Sequence, residues 1–526
     1  MFKMNKKYYQ TGLLVLFSLC LASVAWGTLP GSKINGKYYL SQWTGQTPLL
    51  VTAITDVNNL NAQVTLVIDA NDTLSSSPAV DKEVSLEFIS GYKITIPVQN
   101  GYSLTINGPC QAGTYQIFDT MGNASGVVFG GECRAVRVAW YGAVGNGTTD
   151  DYFAIMAAVQ SAPGGIITLS GDKIYGTSAK IVINTHYTQL VGENGNTEIK
   201  WLSASNDYVI QLVDTWQAKV RNLLIDCNYA ANGIALDIST GTNQKSEINT
   251  CKIRNPVVGI VINSNATLAP QIDGWKIENV MIQGAIGTTV MTNGIYINSQ
   301  NSTGKIDSSI ISGIAANGAG IDIKGSLVLK VLATNFGAAT DTGTDAIRLS
   351  GSYGAVSIDS CQAEQIGYFL HKTSASPSLY VPIKIDGCVI NDPIKLDVRA
   401  RLVTSGCYFY GSNGTTYPLV IFNDSRNIWT DLASQFANNT LENYIQLNGT
   451  LDIVTLVQST KDATTEFAII PNQINYIGLN KNVLRGSLKL VPGTAPSSPT
   501  EGMIYADSSS HKLYYYNGTS WVSMTP

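Results

Sequence analysis

At 526 residues the chain is long for one ordinary core, yet only 13% of it is charged and its formal net charge is −4. That balance, with no basic cluster, excludes electrostatic binding of nucleic acid. Gly, Ser, Thr, Asn and Tyr take the place of charge, as expected of many turns and long polar strand faces.

Lys3, Lys6 and Lys7 precede an apolar run from Leu13 to Ala25, and small residues close it. Charge, length and cleavage chemistry are those of a secretory signal peptide over residues 1–27, cut after Ala25 or Gly27. No later stretch of 18 apolar residues exists, so the mature chain is expected to be exported and free of the membrane. Residues 28–135 read as a β-rich lead-in with no helical pattern. Within it, residues 85–109 alternate apolar and polar positions around turn signals and are expected to begin a stack of coils. Seven cysteines remain once Cys20 is removed, an odd count without metal-type Cys-x-x-Cys pairing. Cys110 and Cys133 flank a Gly-rich loop and are the pair that could bridge, given the right geometry.

The stretch VAWYGAVGNGTTDDYFAIMAAVQSAPGG (138–165) follows. Its Gly-rich turn ends in Thr149-Asp150-Asp151, and Phe153, Ile155, Met156 and Val159 recur at helical spacing. It predicts a capped helix of about ten residues, ended by Pro163-Gly164 and covering the open end of a coil stack. Asp150-Asp151 reads as helix capping and dipole compensation in preference to catalysis. The residues Tyr141-Gly142-Ala143, Gly145, Gly147, Thr149-Asp150-Asp151 and Ala154-Ile155 resemble the opening segment of the pectate-lyase-like superfamily. Asn146 stands where an Asp is usual, and Met156 where Gln is usual. With the repeats below, the resemblance covers roughly residues 85–425. It implies a right-handed parallel β-helix and a carbohydrate ligand. It implies no particular reaction, because that superfamily includes lyases, hydrolases, epimerases and non-catalytic binders.

Residues 136–455 carry a repeat that defines the fold independently. The signature apolar, variable, Asn/Ser/Thr/Gly, small or apolar, variable, apolar starts at Val220, Ile248, Ile277, Ile306, Ile358 and Ile385, with a looser copy at Val331. Successive starts lie 25–29 residues apart, which is solenoid spacing. A second signature, small residue then apolar-x-apolar, follows each copy, from Gly233-Ile-Ala-Leu through Gly320-Ile-Asp-Ile, Ala346-Ile-Arg-Leu and Gly367-Tyr-Phe-Leu to Pro393-Ile-Lys-Leu. Short strands with period-two alternation, and no intervening helices, predict an all-β protein: a single-stranded parallel β-helix. The third position of the first signature (Asn222, Thr250, Asn279, Ser308, Ser360, Gly387) suits a sharp bend. The fourth (Leu223, Cys251, Val280, Ser309, Thr334, Cys361, Cys388) is expected to stack inward.

Candidate chemistry comes from reading outward positions coil by coil. The polygalacturonase-type set of that superfamily (Asn-Thr-Asp, paired Asp-Asp, Gly-His-Gly, Arg-Ile-Lys) is not in place, and His186, His371 and His511 lack a Gly-His-Gly context. The second signature gives one outward column of Ala235, Val261, Tyr296, Asp322, Arg348, Phe369 and Lys395. Beside it run Asp237, Asn263, Asn298, Lys324, Ser350, His371 and Asp397. Coils ~4.8 Å apart would make Tyr296, Asp322, Arg348 and Phe369 a ridge with aromatic ends and a charged centre. Aromatic rings can cover sugar faces, and Arg can fork onto a uronate carboxylate. Asp322 and Arg348 are the candidate catalytic residues, and Tyr296, Phe369, Lys324 and His371 the candidate substrate contacts. A lyase would need a base, for which Arg348 or Lys324 would require a perturbed charge state. A hydrolase would need two carboxylates at the right separation. Glu278 beside Asp307, and Asp359 beside Asp386, supply alternative pairs. The same residues can also be read as a solvated sheet face.

Past about residue 425 the repeat blurs. Residues 456–501 read as an irregular region and a Pro/Ser linker. The tail 502–526 alternates about Ser-rich and Asn-Gly turns as a small β-meander, similar to short C-terminal modules of phage tail fibres. A meander this small is marginal alone, so trimerisation and simple end-capping are both open readings of it. The expected partner is a polysaccharide, which the chain binds and cleaves as a lyase or hydrolase; the alternative is a non-catalytic, tailspike-like surface adhesin. No metal-ligating residue is assigned, and the sequence leaves cofactor and metal requirement open.

Overall fold

The computed structural model describes residues 33–47, 49–122 and 126–263, most of 272–437, the backbone of strands between 443 and 490, and 504–524. The signal-peptide reading of residues 1–27 lies outside the described residues. The chain forms two compact units, residues 1–134 with 139–142, and residues 135–138 with 143–526.

The first unit contains three short parallel sheets built from strands such as Val64–Ile68, Val84–Phe88 and Leu104–Ile106. Parallel pairing therefore starts at Tyr38–Tyr39, well before the expected 85–109. The unit also contains a helix, Leu49–Asn58, where no helical pattern was expected. Leu50, Ala53, Ile54 and Val57 are buried at helical spacing. Val51, Thr52, Ile54, Thr55 and Val57 are β-branched and favour a strand by propensity, which masks that spacing in the sequence. Burial overrides propensity here, and the Asp56 carboxylate accepts a 2.8 Å hydrogen bond from Trp43 Nε1. Cys110 and Cys133 are not bridged; the Cys133 thiol lies 4.0 Å from the Cys110 carbonyl oxygen.

The second unit is a parallel β-solenoid of three long sheets with 14, 13 and 13 strands. One coil runs through Trp275–Glu278 in the first sheet, Met281–Gln283 in the second and Asn293–Asn298 in the third. The next begins at Ser302–Asp307, directly in register with the first. The bend column is where the repeat places it. Asn222, Thr250, Asn279, Ser308, Ala333, Ser360 and Gly387 all have φ between 43° and 58°. The fourth-position column is buried at every copy. Burial pushes the Cys251 thiol up to about 12, so it serves as a small hydrophobe. Strand pairing continues beyond the fading of the repeat, as far as Leu488–Leu490.

The expected helix spans Tyr152–Ser161, buries Ile155, Met156 and Val159, and packs on the first strand of the third sheet, Ile181–Ile183. Its capping differs from the expectation. Asp151 makes no cap hydrogen bond; its carboxylate instead accepts the amides of Val144 (2.7 Å) and Gly145 (3.1 Å), clamping the Gly-rich turn. Asp150 accepts the Tyr152 amide at 3.1 Å and also bonds Ser178. The C-terminal strands Ile504–Ala506, Leu513–Tyr516 and Trp521–Ser523 form the antiparallel meander. None of its described residues is buried.

The left-handed column yields a direct test. A β-branched residue is strained there, and the one the column carries, Thr250, has a hydroxyl bonded to Asn249 Oδ1 at 2.5 Å that valine lacks, so Asn279→Val and Gly387→Val should each cost about 1–2 kcal/mol. Lower thermal midpoints, with Asn279→Gly close to wild type, would be the expected outcome of differential scanning calorimetry.

Candidate functional site

The third sheet carries the site on its outer face. Register pairs Tyr296 with Asp322, Asp322 with Arg348, Arg348 with His371, and His371 with Lys395. Five consecutive coils thus present Tyr, Asp, Arg, His and Lys in one column, over four coil steps or about 19 Å.

Phe369 is not in this column. It is fully buried, and the expectation that it contacts substrate is corrected. Aligning Gly367 with Ala346 slips the register by two residues, because the coil between them is short. The structure pairs Tyr368 with Asp345 and Leu370 with Ile347, so Phe369 falls opposite Ala346 and turns inward. His371 consequently moves from the neighbouring column to a place beside Arg348.

Asp345, absent from the expected site, organises it. It is 1% exposed, accepts a hydrogen bond from Arg348 Nε, and lies 3.2 Å from His371 Nδ1. Strict alternation would put residues 345 and 348 on opposite faces. Ala346 and Ile347 are both buried in succession, which breaks the alternation and brings Asp345 round to Arg348. Arg348 Nη2 also donates to the carbonyls of Asn317 and Gly318, each at 2.9 Å. Losing one partner of such a buried pair typically costs about 3–5 kcal/mol.

On its far side His371 Nε2 meets Asp397 Oδ2 at 2.9 Å. Partial burial of Asp397 opposes its ionisation, but contacts with His371 and Asn423 and the nearby Lys395 hold its carboxyl below the ordinary range. Tyr368 lies with its ring centre 4.8 Å from that of His371 and under the Lys395 ammonium at 5.1 Å. At the other end Lys324 lies 5.4 Å over the Tyr296 ring. Two Lys-covered tyrosines therefore flank the charged centre.

Asp322 is buried, and burial raises its pKa against the opposing influence of the Ser350 hydroxyl, Arg348 and Lys324. The alternative acidic pairs lie on the first sheet and differ in kind. Glu278 and Asp307 are in register, but Lys305 bridges them at 3.5 and 2.6 Å, and its hydrogen bond holds Asp307 below the usual range. Asp359 and Asp386 are also paired, with Ser360 on the first and Lys384 on the second at 3.0 Å. In each pair a lysine already engages at least one of the two carboxylates. Among the described residues no group of three or more His, Cys, Asp or Glu side chains has metal-holding geometry.

No family model and no curated protein matches the chain. Solved structures do. The mannuronan C-5 epimerase AlgE4 A-module of Azotobacter vinelandii is 13% identical, covering 66% of this chain and 100% of that one, with a TM-score of 0.41. The endo-xylogalacturonan hydrolase of Aspergillus tubingensis is 14% identical, covering 66% and 99%, with a TM-score of 0.42. Tailspike protein 3 of bacteriophage CBA120 is 14% identical, covering 74% and 68%, with a TM-score of 0.37. Likeness at this level identifies no reaction.

Asp322 gives the site a pH signature. Its folded pKa is raised, so the folded state holds a proton that the unfolded chain gives up. Stability therefore falls as pH rises from the ordinary carboxylate range through the raised value, and stays lower above it. Asp322→Asn should remove that fall: its thermal midpoint should exceed wild type at neutral pH and converge with it in acid. A variant less stable than wild type at neutral pH would contradict the assignment.

Proposed function

We propose that the protein binds uronate-containing polysaccharide along the outer face of the third sheet and cleaves it by elimination. The observation that carries this reading is the column Tyr296, Asp322, Arg348, His371, Lys395 with Asp345 sealed beneath it. Elimination needs a cation on the uronate carboxylate, a base for the adjacent carbon-bound proton, and an acid for the leaving oxygen. Arg348, with Lys324 and Lys395 nearby, supplies the cation. His371, oriented through Nδ1 by buried Asp345, supplies the base at Nε2 once Asp397 turns aside. The carbon–hydrogen electron pair forms the new double bond, the glycosidic carbon–oxygen bond breaks, and Asp322 protonates the departing oxygen. Tyr296 and Tyr368 bracket the chain with apolar ring faces.

Hydrolysis is less well supported. Asp322 and Asp397 are the two carboxyls pushed in opposite directions, but three coil steps of ~4.8 Å separate their strands by about 14 Å, beyond the 6.5–9.5 Å window of an inverting pair. A second reading, a non-catalytic, tailspike-like surface adhesin, is favoured by one feature: both His371 nitrogens already engage carboxylates. The signal-peptide sequence accords with export in either case, and an assembly role for the C-terminal meander, including a homotrimer, belongs to the second.

Incubation with polygalacturonate and alginate should release unsaturated product, seen by its ultraviolet absorbance. His371→Ala should lower turnover by about 10²–10⁴ with binding retained, and Arg348→Ala should weaken both. New reducing ends without unsaturation would indicate hydrolysis. Binding with no product from any polymer would leave the adhesin.

A further inference from the structure

A second feature of the solenoid lies outside this column, on the turns that lead from the third sheet back to the first. Tyr187 and Trp216 occupy successive coils there and are 47% and 41% exposed, far more than the interior aromatics. Their ring centres are 5.9 Å apart with planes inclined by 35°. His186 stands beside Tyr187, and the Lys245 ammonium of the following coil lies 5.8 Å from the Trp216 ring.

The platform is held rigidly. The Trp216 amide donates to His186 Nδ1 at 3.2 Å, and the Tyr187 amide donates to the Trp216 carbonyl at 2.8 Å. Beneath it Thr188, Thr215 and Ser246 are completely buried and hydrogen-bonded, Thr215 to Ser246 and Thr188 to the Gly164 amide. The backbone at Tyr187 has φ +62°, a left-handed conformation that a tyrosine adopts at a cost. Equivalent positions in later coils are Gln217, Lys245 and finally Gly274, the residue for which this conformation is free of strain. Left-handed backbone recurs at this corner in all four coils, and what sets Tyr187 apart is a large ring kept exposed on it.

We infer that Tyr187 and Trp216, with Lys245, form a distal subsite that takes pyranose rings of an acidic polysaccharide. The rings cover the apolar sugar faces, and Lys245 pairs with a carboxylate. Five coil steps, about 24 Å, separate the Trp216 and Arg348 strands along the solenoid axis. Trp216 follows the third-sheet strand Tyr208–Val213 and Arg348 lies within that sheet's strand Asp345–Leu349, so the proposed occupant is one extended polymer running along the solenoid axis. The inference rests on the polysaccharide reading above.

Its test compares long-chain polygalacturonate, which can span both places, with the trimer, which cannot. Trp216→Ala and Tyr187→Gly should each weaken binding of the long polymer about three- to tenfold and leave the trimer binding that Arg348→Ala abolishes unchanged. Tyr187→Gly should at the same time raise the thermal midpoint by relieving the left-handed strain. Unchanged polymer affinity in the double variant, with Arg348→Ala still weakening it, overturns the distal subsite alone. Weakening by the platform variants but not by Arg348→Ala overturns the central column and retains the subsite. A wild-type chain that binds neither probe overturns both.

Discussion

The constraint on which the rest depends is a backbone corner that passes through the left-handed region at the same place in coil after coil. With that corner fixed, the strands on either side stack in register, and the inward positions close over an interior rich in Ile, Val, Leu and Cys. Each fully buried aliphatic side chain contributes roughly 1.5–3 kcal/mol, so register is enforced by every coil at once. Outward positions contribute little to that sum and are free to carry chemistry.

The third sheet uses that freedom in an unusual way. Its outward column and the residues beside it bring three cationic side chains and His371 alongside three carboxyls, of which Asp322 and Asp345 are buried. An enclosed carboxylate is tolerable only when paired and hydrogen-bonded. Asp345 meets that condition by holding both Arg348 and His371, and the same bonds fix the direction of the guanidinium and the imidazole. Stability of Asp345 and orientation of the guanidinium and imidazole are therefore one interaction. Asp322 shows the opposite balance, since its burial outweighs its partners and favours the protonated form.

Much of this was legible in the residues. Asn, Ser, Thr and Gly at the bend and Cys, Val, Leu at the next position report backbone conformation and burial directly, so both columns were readable. Tyr296, Asp322 and Arg348 were readable as neighbours because their coils have regular length. The column failed at Phe369, where a shorter coil and a misleading Gly367 shifted the alignment by two residues and hid the Arg348–His371 pairing. Asp345 was hidden because a break in alternation at Ala346-Ile347 is a property of packing, which period-two reasoning does not contain. The helix Leu49–Asn58 was hidden by β-branched composition, and the Asp151 clamp by a sequence position that equally suits a helix cap.

Determination of the structure with a bound oligogalacturonate tests the central claim most directly. The expected result is an oligosaccharide lying along the outer face of the third sheet, one carboxylate within hydrogen-bonding distance of Arg348 and a ring-carbon hydrogen facing His371 Nε2. An oligosaccharide seated instead over Glu278 and Asp307 or over Asp359 and Asp386 on the first sheet, with the Arg348 column bare, would contradict it.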